Sequence, residues 1–312
     1  GVVASASYAA RAYGVRSAMP MSRALSLCPA AVILPARFSL YGEYSRRVMA
    51  ILRSAAPLVE QMSIDEAYLD VTEEAPNWAA AVELARRLQH KVREEVGLSA
   101  SLGVASNKLV AKVASDHDKP GGLTVVPPGQ EASFLAPLPV RVLMGVGPVM
   151  AGKLAQLGVS TVGDLARLPE EELYQRFGKH GRALARQALG IDRSPVVTER
   201  QIKSVSQERT FRRDVADPQV LHDQLHKMSG RVSSRLDRHA LVAATIGIKL
   251  RYSDFTTLTR QMSLAVPTAD ERVISQAAVT LLDRTWLKGR PVRLLGVSAQ
   301  RLSEPAGQLP LL

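Results

Sequence analysis

Apolar residues recur at helical spacing over residues 42–55, through Val48, Met49, Ile51 and Leu52, and again over 78–95, through Ala81, Leu84, Ala85, Leu88 and Val92. The runs at 61–71 and 98–105 predict strands, so sheet and helix alternate through the first 126 residues. The opening Val2-Val3-Ala4 is also strand-like. Pro127, Pro128, Gly129, Pro137 and Pro139 then punctuate the chain and predict a domain boundary. Residues 140–190 read as short helices in tight loops, and 191–202, polar and proline-containing, as a linker. Beyond it the pattern predicts a strand at 203–211, a helix at 218–238, strands at 242–252 and 256–262, a helix at 270–287 and a strand at 292–300. That order is βαββαβ, the split-βαβ arrangement. In its second strand Ile246, Ile248 and Leu250 oppose Thr245, Lys249 and Arg251, which predicts one face under helices and one open polar, basic face.

The 312 residues exceed what one core comfortably serves, and 46% hydrophobic with 22% charged residues excludes a wholly disordered, collagen-like or coiled-coil chain. No apolar run approaches the roughly 18 residues of a membrane span, so no membrane association is expected. The lone Cys28 builds neither a disulfide framework nor a cysteine zinc site; it predicts a reducing, cytoplasmic setting and is read as a small buried hydrophobe. The chain opens on Gly1 and leads straight into the strand-like run, which raises the expectation that an N-terminal segment is missing.

The charge is uneven. Residues 1–130 carry 14 basic against 12 acidic side chains, and 131–199 carry 8 against 7. Residues 200–303 carry 18 against 9, most of the +11 total. A concentrated basic region marks an anionic partner, nucleic acid first, with a generically basic surface as the plain alternative.

Two places carry candidate chemistry. Gly145-Val146-Gly147-Pro148 precedes an apolar-periodic helix through Ala151, Leu154 and Leu157 that Gly158 closes. Such a hairpin turns backbone N–H groups outward at a helix start and cradles a phosphate without reading a base; alone, it is also an ordinary helix–helix turn. Asp65 and Glu66 stand together in Ser63-Ile64-Asp65-Glu66-Ala67-Tyr68. Two carboxylates in an apolar strand call for a cation, and their oxygen donors favour magnesium; the competing reading is a surface hairpin with the acids at its tip. His222 and His226 are four apart but lack the glutamate of a metalloprotease helix, and are read as helix-surface residues.

Ser-Ile-Asp-Glu-Ala resembles the signature of the Y-family translesion DNA polymerases, and further segments match in the same order. The run from Ala6 to Arg16 resembles the finger segment in which a Tyr and an Arg three positions later hold the triphosphate, here Tyr8 and Arg11. The runs from Gly103 to Lys112 and from Ser115 to Gly122 resemble a palm segment whose lysine, here Lys119, meets the same triphosphate. The resemblance spans residues 1–312 and is nearest the bacterial DNA polymerase IV branch. It implies an α+β, right-hand polymerase: fingers at 1–36, palm at 37–126, a helix-hairpin-helix thumb at 127–192, a linker at 193–202, a βαββαβ little finger at 203–303 and a clamp-binding tail at 304–312.

The resemblance further implies templated nucleotidyl transfer from a dNTP to a primer 3′-hydroxyl, error-prone and without proofreading, with two magnesium ions on Asp65 and Glu66. Gly145, Gly147, Lys203, Lys249 and Arg251 would meet primer–template DNA. Gln308, Leu309, Leu311 and Leu312 resemble a sliding-clamp-binding motif. The polymerase is expected to act as a monomer. The family's first palm strand, with another metal-binding Asp and an aromatic gate against ribonucleotides, has no match here, which predicts a weakened palm sheet and no primer extension by the chain as written. The alternative is a catalytically dead, DNA- and clamp-binding accessory factor.

Overall fold

Local polar caps start several of the helices that the periodicity predicts. In the computed structural model, which describes residues 1–199 and 201–305, one compact unit covers residues 1–199 and a second begins at residue 200. The first unit runs α1 (Tyr8–Ala12), α2 (Met21–Leu27), α3 (Phe38–Arg53), β1 (Leu58–Gln61), β2 (Ala67–Asp70), α4 (Trp78–Val96), β3 (Leu102–Val104), α5 (Lys108–His117), β4 (Leu123–Val125) and α6 (Glu131–Leu135). A 3₁₀ turn at Val140–Val142 then leads into α7 (Pro148–Ala155), α8 (Val162–Ala166), α9 (Glu170–Phe177) and α10 (Lys179–Ala188). Asn77 accepts the Ala80 N–H at 2.9 Å to begin α4, and Asn107 accepts the Val110 N–H at 3.0 Å to begin α5. α4 ends at Gly97, whose φ of 73° is the left-handed cap that glycine adopts without cost.

The run at 61–71 is not one strand. Backbone bonds from Met62 and Ser63 N–H to Glu66 O close a tight turn, and β1 pairs antiparallel with β2 from Leu58↔Asp70 to Gln61↔Ala67. The Ser63 hydroxyl, 2.5 Å from Asp65 Oδ1, makes the local bond that turn residues use in place of a ladder. The expected strand at 98–105 shrinks to three residues, β3, parallel to β4, and Val2 makes a single bridge to Pro20 rather than a strand. β1–β2 and β3–β4 are thus separate two-stranded sheets. Ile51 of α3 packs with Leu88, Val92 and Val96 of α4. Leu109, Val110, Val113 and Ala114 of α5 share another cluster with the helices of 131–188, while the first 28 residues bury only Val3, Val15, Ala24 and Cys28.

The second unit follows the predicted order: β5 (Ser204–Val215), α11 (Pro218–Arg238), β6 (Val242–Tyr252), β7 (Thr257–Thr268), α12 (Glu271–Thr285) and β8 (Val292–Ser303). Its sheet order, β5-β8-β6-β7, is antiparallel throughout, so α11 links two parallel strands with β8 between them, the split βαβ that the sequence predicts. Leu221, Leu225, Val232 and Leu236 of α11 and Ile274 and Leu282 of α12 pack on Ile246, Ile248, Leu250 and Leu295 in one continuous core. Thr245 departs from the expected alternation: next to a register shift, it is buried on the polar side. His222 and His226 are not idle surface residues. Their rings meet Asp283 and Ser275 at 2.8 and 2.5 Å and tie α11 to α12.

Candidate active site and nucleic-acid interface

A cleft of about 1130 Å³ opens in the first unit between the β1–β2 hairpin and the β3–α5 segment. Its wall is apolar, from Val48 and Leu52 of α3 and Leu84 and Leu88 of α4; Tyr8, Asp65, Glu66, Lys112 and Lys119 supply its polar lining. Asp65 and Glu66 occupy the hairpin turn, so the hairpin alternative is the fold. Both acids nonetheless line the cleft.

The charges around these acids form a chain. Lys112 Nζ lies 2.6 Å from Glu66 Oε1 and 3.0 Å from Asp116 Oδ2, and Asp116 in turn contacts the Lys119 ammonium. Burial works against the Lys112 charge, but its hydrogen bonds to Glu66 and Asp116 outweigh that and raise its pKa. For Asp116, burial is likewise outweighed by the bonds from Lys119 and Lys112, and its pKa is lowered. Burial foremost raises the pKa of Tyr68 beside them, against the opposing pull of Lys112. The sequence reading named the segment but not Lys112 and Asp116 as acting residues. Their signal is the i, i+4 spacing of Lys112 and Asp116 on α5, with Lys119 three residues further on, just past the end of the helix.

Tyr8 opens α1 behind the Ser7 cap, is 58% exposed and faces the cleft. Arg11 lies one turn on, its guanidinium 6.0 Å from the Tyr8 ring and its Nε bonded to Ala6 O at 3.0 Å; it is not among the residues lining the cleft. The position of α5 depends on Gly103, since a Cβ there would stand 2.1 Å from Ala111 O. A buried pair holds the other end of that helix: Lys108 meets Glu60 at 2.7 Å and Pro195 O at 2.8 Å, and Glu60 accepts the Val197 N–H at 3.1 Å. With Asp192 accepting the Leu109 N–H at 3.1 Å, this fastens residues 192–197 to α5.

At the predicted phosphate hairpin Gly145 has φ 85°, and a Cβ would lie 2.7 Å from His180 Cε1. Gly147 precedes α7 with no side-chain cap and Pro148 takes the first turn, so the N–H groups of Val149 and Met150 begin a helix whose first turn carries no acidic residue. The first arm of the hairpin is only the 3₁₀ turn. In the second unit, Lys249 and Arg251 stand on the open face of β6 and Lys203 is exposed just before β5. Lys249 is already paired with Glu208 at 3.1 Å, and Arg251 bonds Thr257 at 2.7 Å. Gly247 and Gly296 are buried beneath neighbouring side chains: a Cβ would stand 2.8 Å from Ser298 Oγ at the first and 2.7 Å from Glu208 Cγ at the second. The clamp-motif residues Gln308, Leu309, Leu311 and Leu312 lie outside the described residues.

Comparison with known proteins accounts for most of the chain. The model of the impB/mucB/samB family matches residues 1–116, that of the same family's C-terminal domain matches 202–311, and that of the DNA polymerase-iota thumb domain matches 141–192. A DNA polymerase IV of Halorhodospira halophila is 44% identical over 302 residues, 97% of this chain and 85% of the relative. One of Desulfatibacillum aliphaticivorans is 43% identical over 305 residues, covering 98% and 77%. Among solved structures, the Y-family DNA polymerase chimera Dbh-Dpo4(243-245)-Dbh superposes with a TM-score of 0.86 at 30% identity, covering 98% of this chain and 88% of its own. DinB from Sulfolobus solfataricus superposes at 0.65 and 30%, covering 96% and 88%.

Proposed function

Because this chain belongs to the DNA polymerase IV (DinB) branch of the Y-family DNA polymerases, we propose that the cleft between the β1–β2 hairpin and α5 is where the incoming nucleotide meets the primer end. The family's chemistry is metal-dependent, DNA-directed DNA synthesis of the translesion class. The observation that carries the residue assignment is that three segments far apart in sequence bring Tyr8, the adjacent Asp65 and Glu66, and Lys119 to one cleft.

The donor set fits magnesium. Among the described residues no three His, Cys, Asp or Glu side chains gather as a self-sufficient metal cage. Magnesium needs none: it takes one or two carboxylates, water and substrate phosphates. Asp65 and Glu66 supply the two carboxylates, and Glu66 already holds a cationic partner in Lys112. Two such ions, when bound, activate the 3′-hydroxyl and neutralise the phosphate charge.

The protein's own groups do the rest. The Lys119 ammonium offsets charge growing on the departing pyrophosphate, and Arg11 adds a second cation from α1. The Tyr8 hydroxyl donates to a phosphate oxygen. Gly145 and Gly147 in the first unit, and separately Lys203, Lys249 and Arg251 in the second, each offer contacts to a sugar-phosphate backbone without base reading. The division into fingers, palm, thumb, linker and little finger at the boundaries given above belongs to this proposal. So do action as a monomer and docking of residues 308–312 on a sliding clamp.

Ferrous-ion affinity cleavage tests the metal assignment. Iron with ascorbate should cut the backbone at Asp65–Glu66, magnesium should suppress the cut, and Asp65→Asn should abolish it. Titration with a fluorescent dNTP tests the triphosphate assignment: Lys119→Met should weaken binding about tenfold, the scale of a hydrogen bond to a charged group. Unchanged cleavage in Asp65→Asn, or unchanged affinity in Lys119→Met, refutes the corresponding assignment.

A further inference from the structure

The four charged side chains Glu66, Lys112, Asp116 and Lys119 run in alternating sign from one proposed subsite to the other. Lys112 is the shared member, divided between Glu66 at 2.6 Å and Asp116 at 3.0 Å. Asp116 is shared too, between Lys112 and Lys119, through its two different oxygens. Neither middle residue belongs to the set assigned to metal or triphosphate. All four are partly exposed, with side chains 27–47% accessible, so each pair is weak enough to exchange partners.

We propose that Lys112 and Asp116 are positioning residues that relay cation occupancy at Glu66 to the freedom of Lys119. A divalent cation on Glu66 displaces the Lys112 ammonium, whose remaining partner here is Asp116. Lys112 then neutralises more of the Asp116 carboxylate, and the attraction holding Lys119 weakens. Lys119 is released toward a triphosphate only when the carboxylate end is loaded. By linkage the coupling is reciprocal: an anion that draws Lys119 away leaves Asp116 to Lys112 and makes Glu66 more available to the cation. The carriers are two discrete partner arrangements of one ion chain, the kind of bistable element that coupling between sites requires.

This inference rests on the metal reading of Glu66, and the experiment separates the two. Surface lysines of the full chain are acetylated with an N-hydroxysuccinimide ester, without nucleotide, with and without magnesium at matched ionic strength, and Lys119 labelling is read by mass spectrometry. In the wild type magnesium should raise Lys119 labelling about threefold, the scale of one exposed ion pair. Lys112→Met should give low labelling that ignores magnesium, because Asp116 then serves Lys119 alone. Asp116→Asn should give high labelling that ignores magnesium, and Lys112→Arg should keep the response. A response that persists in Lys112→Met overturns the relay, as does a wild-type Lys119 that ignores magnesium. In the latter case iron cleavage at Asp65–Glu66 decides what falls: cleavage that magnesium suppresses leaves the metal reading standing and removes only the relay, and absent cleavage removes both. Circular dichroism on each variant guards against unfolding, and the arginine variant carries the test if the methionine variant fails to fold.

Discussion

Substituting Gly103 by alanine adds one methyl group at the place where β3 comes nearest α5. The new Cβ would lie 2.1 Å from Ala111 O, 2.6 Å from Ser115 N and 2.8 Å from the Ala114 Cβ, against 3.4 Å or more for ordinary contact. Two of these atoms are helix backbone, so no side chain can rotate away; α5 must retreat by roughly 1 Å or β3 must leave its pairing with β4. Overpacking of this kind costs about 3 kcal/mol, and for a unit of some 200 residues about 6–12 °C in melting temperature. The same retreat carries Lys112 and Asp116 away from Glu66, and a shift near 1 Å in a positioning group can cost on the order of a hundredfold in a reaction. Thermal unfolding of the first unit, followed by circular dichroism, measures the stability loss. Exchange of the Val126 N–H, which bonds Val104 O at 2.9 Å, reports whether β3 moves. A melting temperature within 1 °C of wild type, with unchanged Val126 protection, would refute the steric argument.

Two further predictions follow from charges around α5. Lys108→Met removes the ammonium that joins Glu60 to Pro195 O, so the Val197 N–H on the same carboxylate should exchange about tenfold faster while the far end of α5 does not change; equal acceleration throughout α5 would contradict a local latch. The ion chain should also shape stability against pH. Asp116 has a depressed pKa in the folded state, so its contribution is present above the ordinary value of 3.8 and fades as pH falls through the lower folded value. Lys112 has a raised pKa, so its contribution is present below 10.5 and fades as pH rises through the higher folded value. The gap in urea midpoint between wild type and Asp116→Asn should therefore be flat from about pH 5 to 9, narrow as pH falls below 3.8 and close once Asp116 is protonated in the folded state. A gap that persists in strong acid would mean that Asp116 acts by packing rather than charge.

The second unit was legible almost element by element because its cues are local and strong. Asp217 and Asp270 cap their helices, Pro218 takes the first turn of α11, and the alternation of Ile248 and Leu250 with Lys249 and Arg251 in β6 declares its two faces. The first unit was harder. Residues 61–71 look like one strand because Ile64, Ala67, Tyr68, Leu69 and Val71 supply enough apolar character; the break comes from a Ser63–Asp65 bond that no hydrophobic pattern records. Asp65 and Glu66 stand out as adjacent carboxylates in an apolar run and Lys119 through motif order, whereas Lys112 and Asp116 acquire meaning only once folding brings Glu66, 46 residues before Lys112, to the side of α5. The Glu60–Lys108 pair, 48 residues apart, was hidden in the same way: neither side chain shows its burial in the sequence. His222 and His226 were judged by what they lack as metal ligands, and their bonds to Asp283 and Ser275 depend on the packing of two helices.

The four small side chains buried at the start of the chain, Val3, Val15, Ala24 and Cys28, set a hierarchy of opening free energies. The second unit draws one continuous core from both helices and the sheet, and should open only in a global event. The segment that presents Tyr8 and Arg11 has neither a long helix nor a paired strand of its own. It therefore stands at the low end of the hierarchy, where excursions cost least and recur fastest. Tyr8 and Arg11, two of the three side chains proposed to meet the triphosphate, thus ride on a part of the molecule that can fluctuate independently, while Lys119 and the carboxylates are held by α5 and the hairpin. Nucleotide arrival would then be timed by the looser partner and its alignment fixed by the stiffer one.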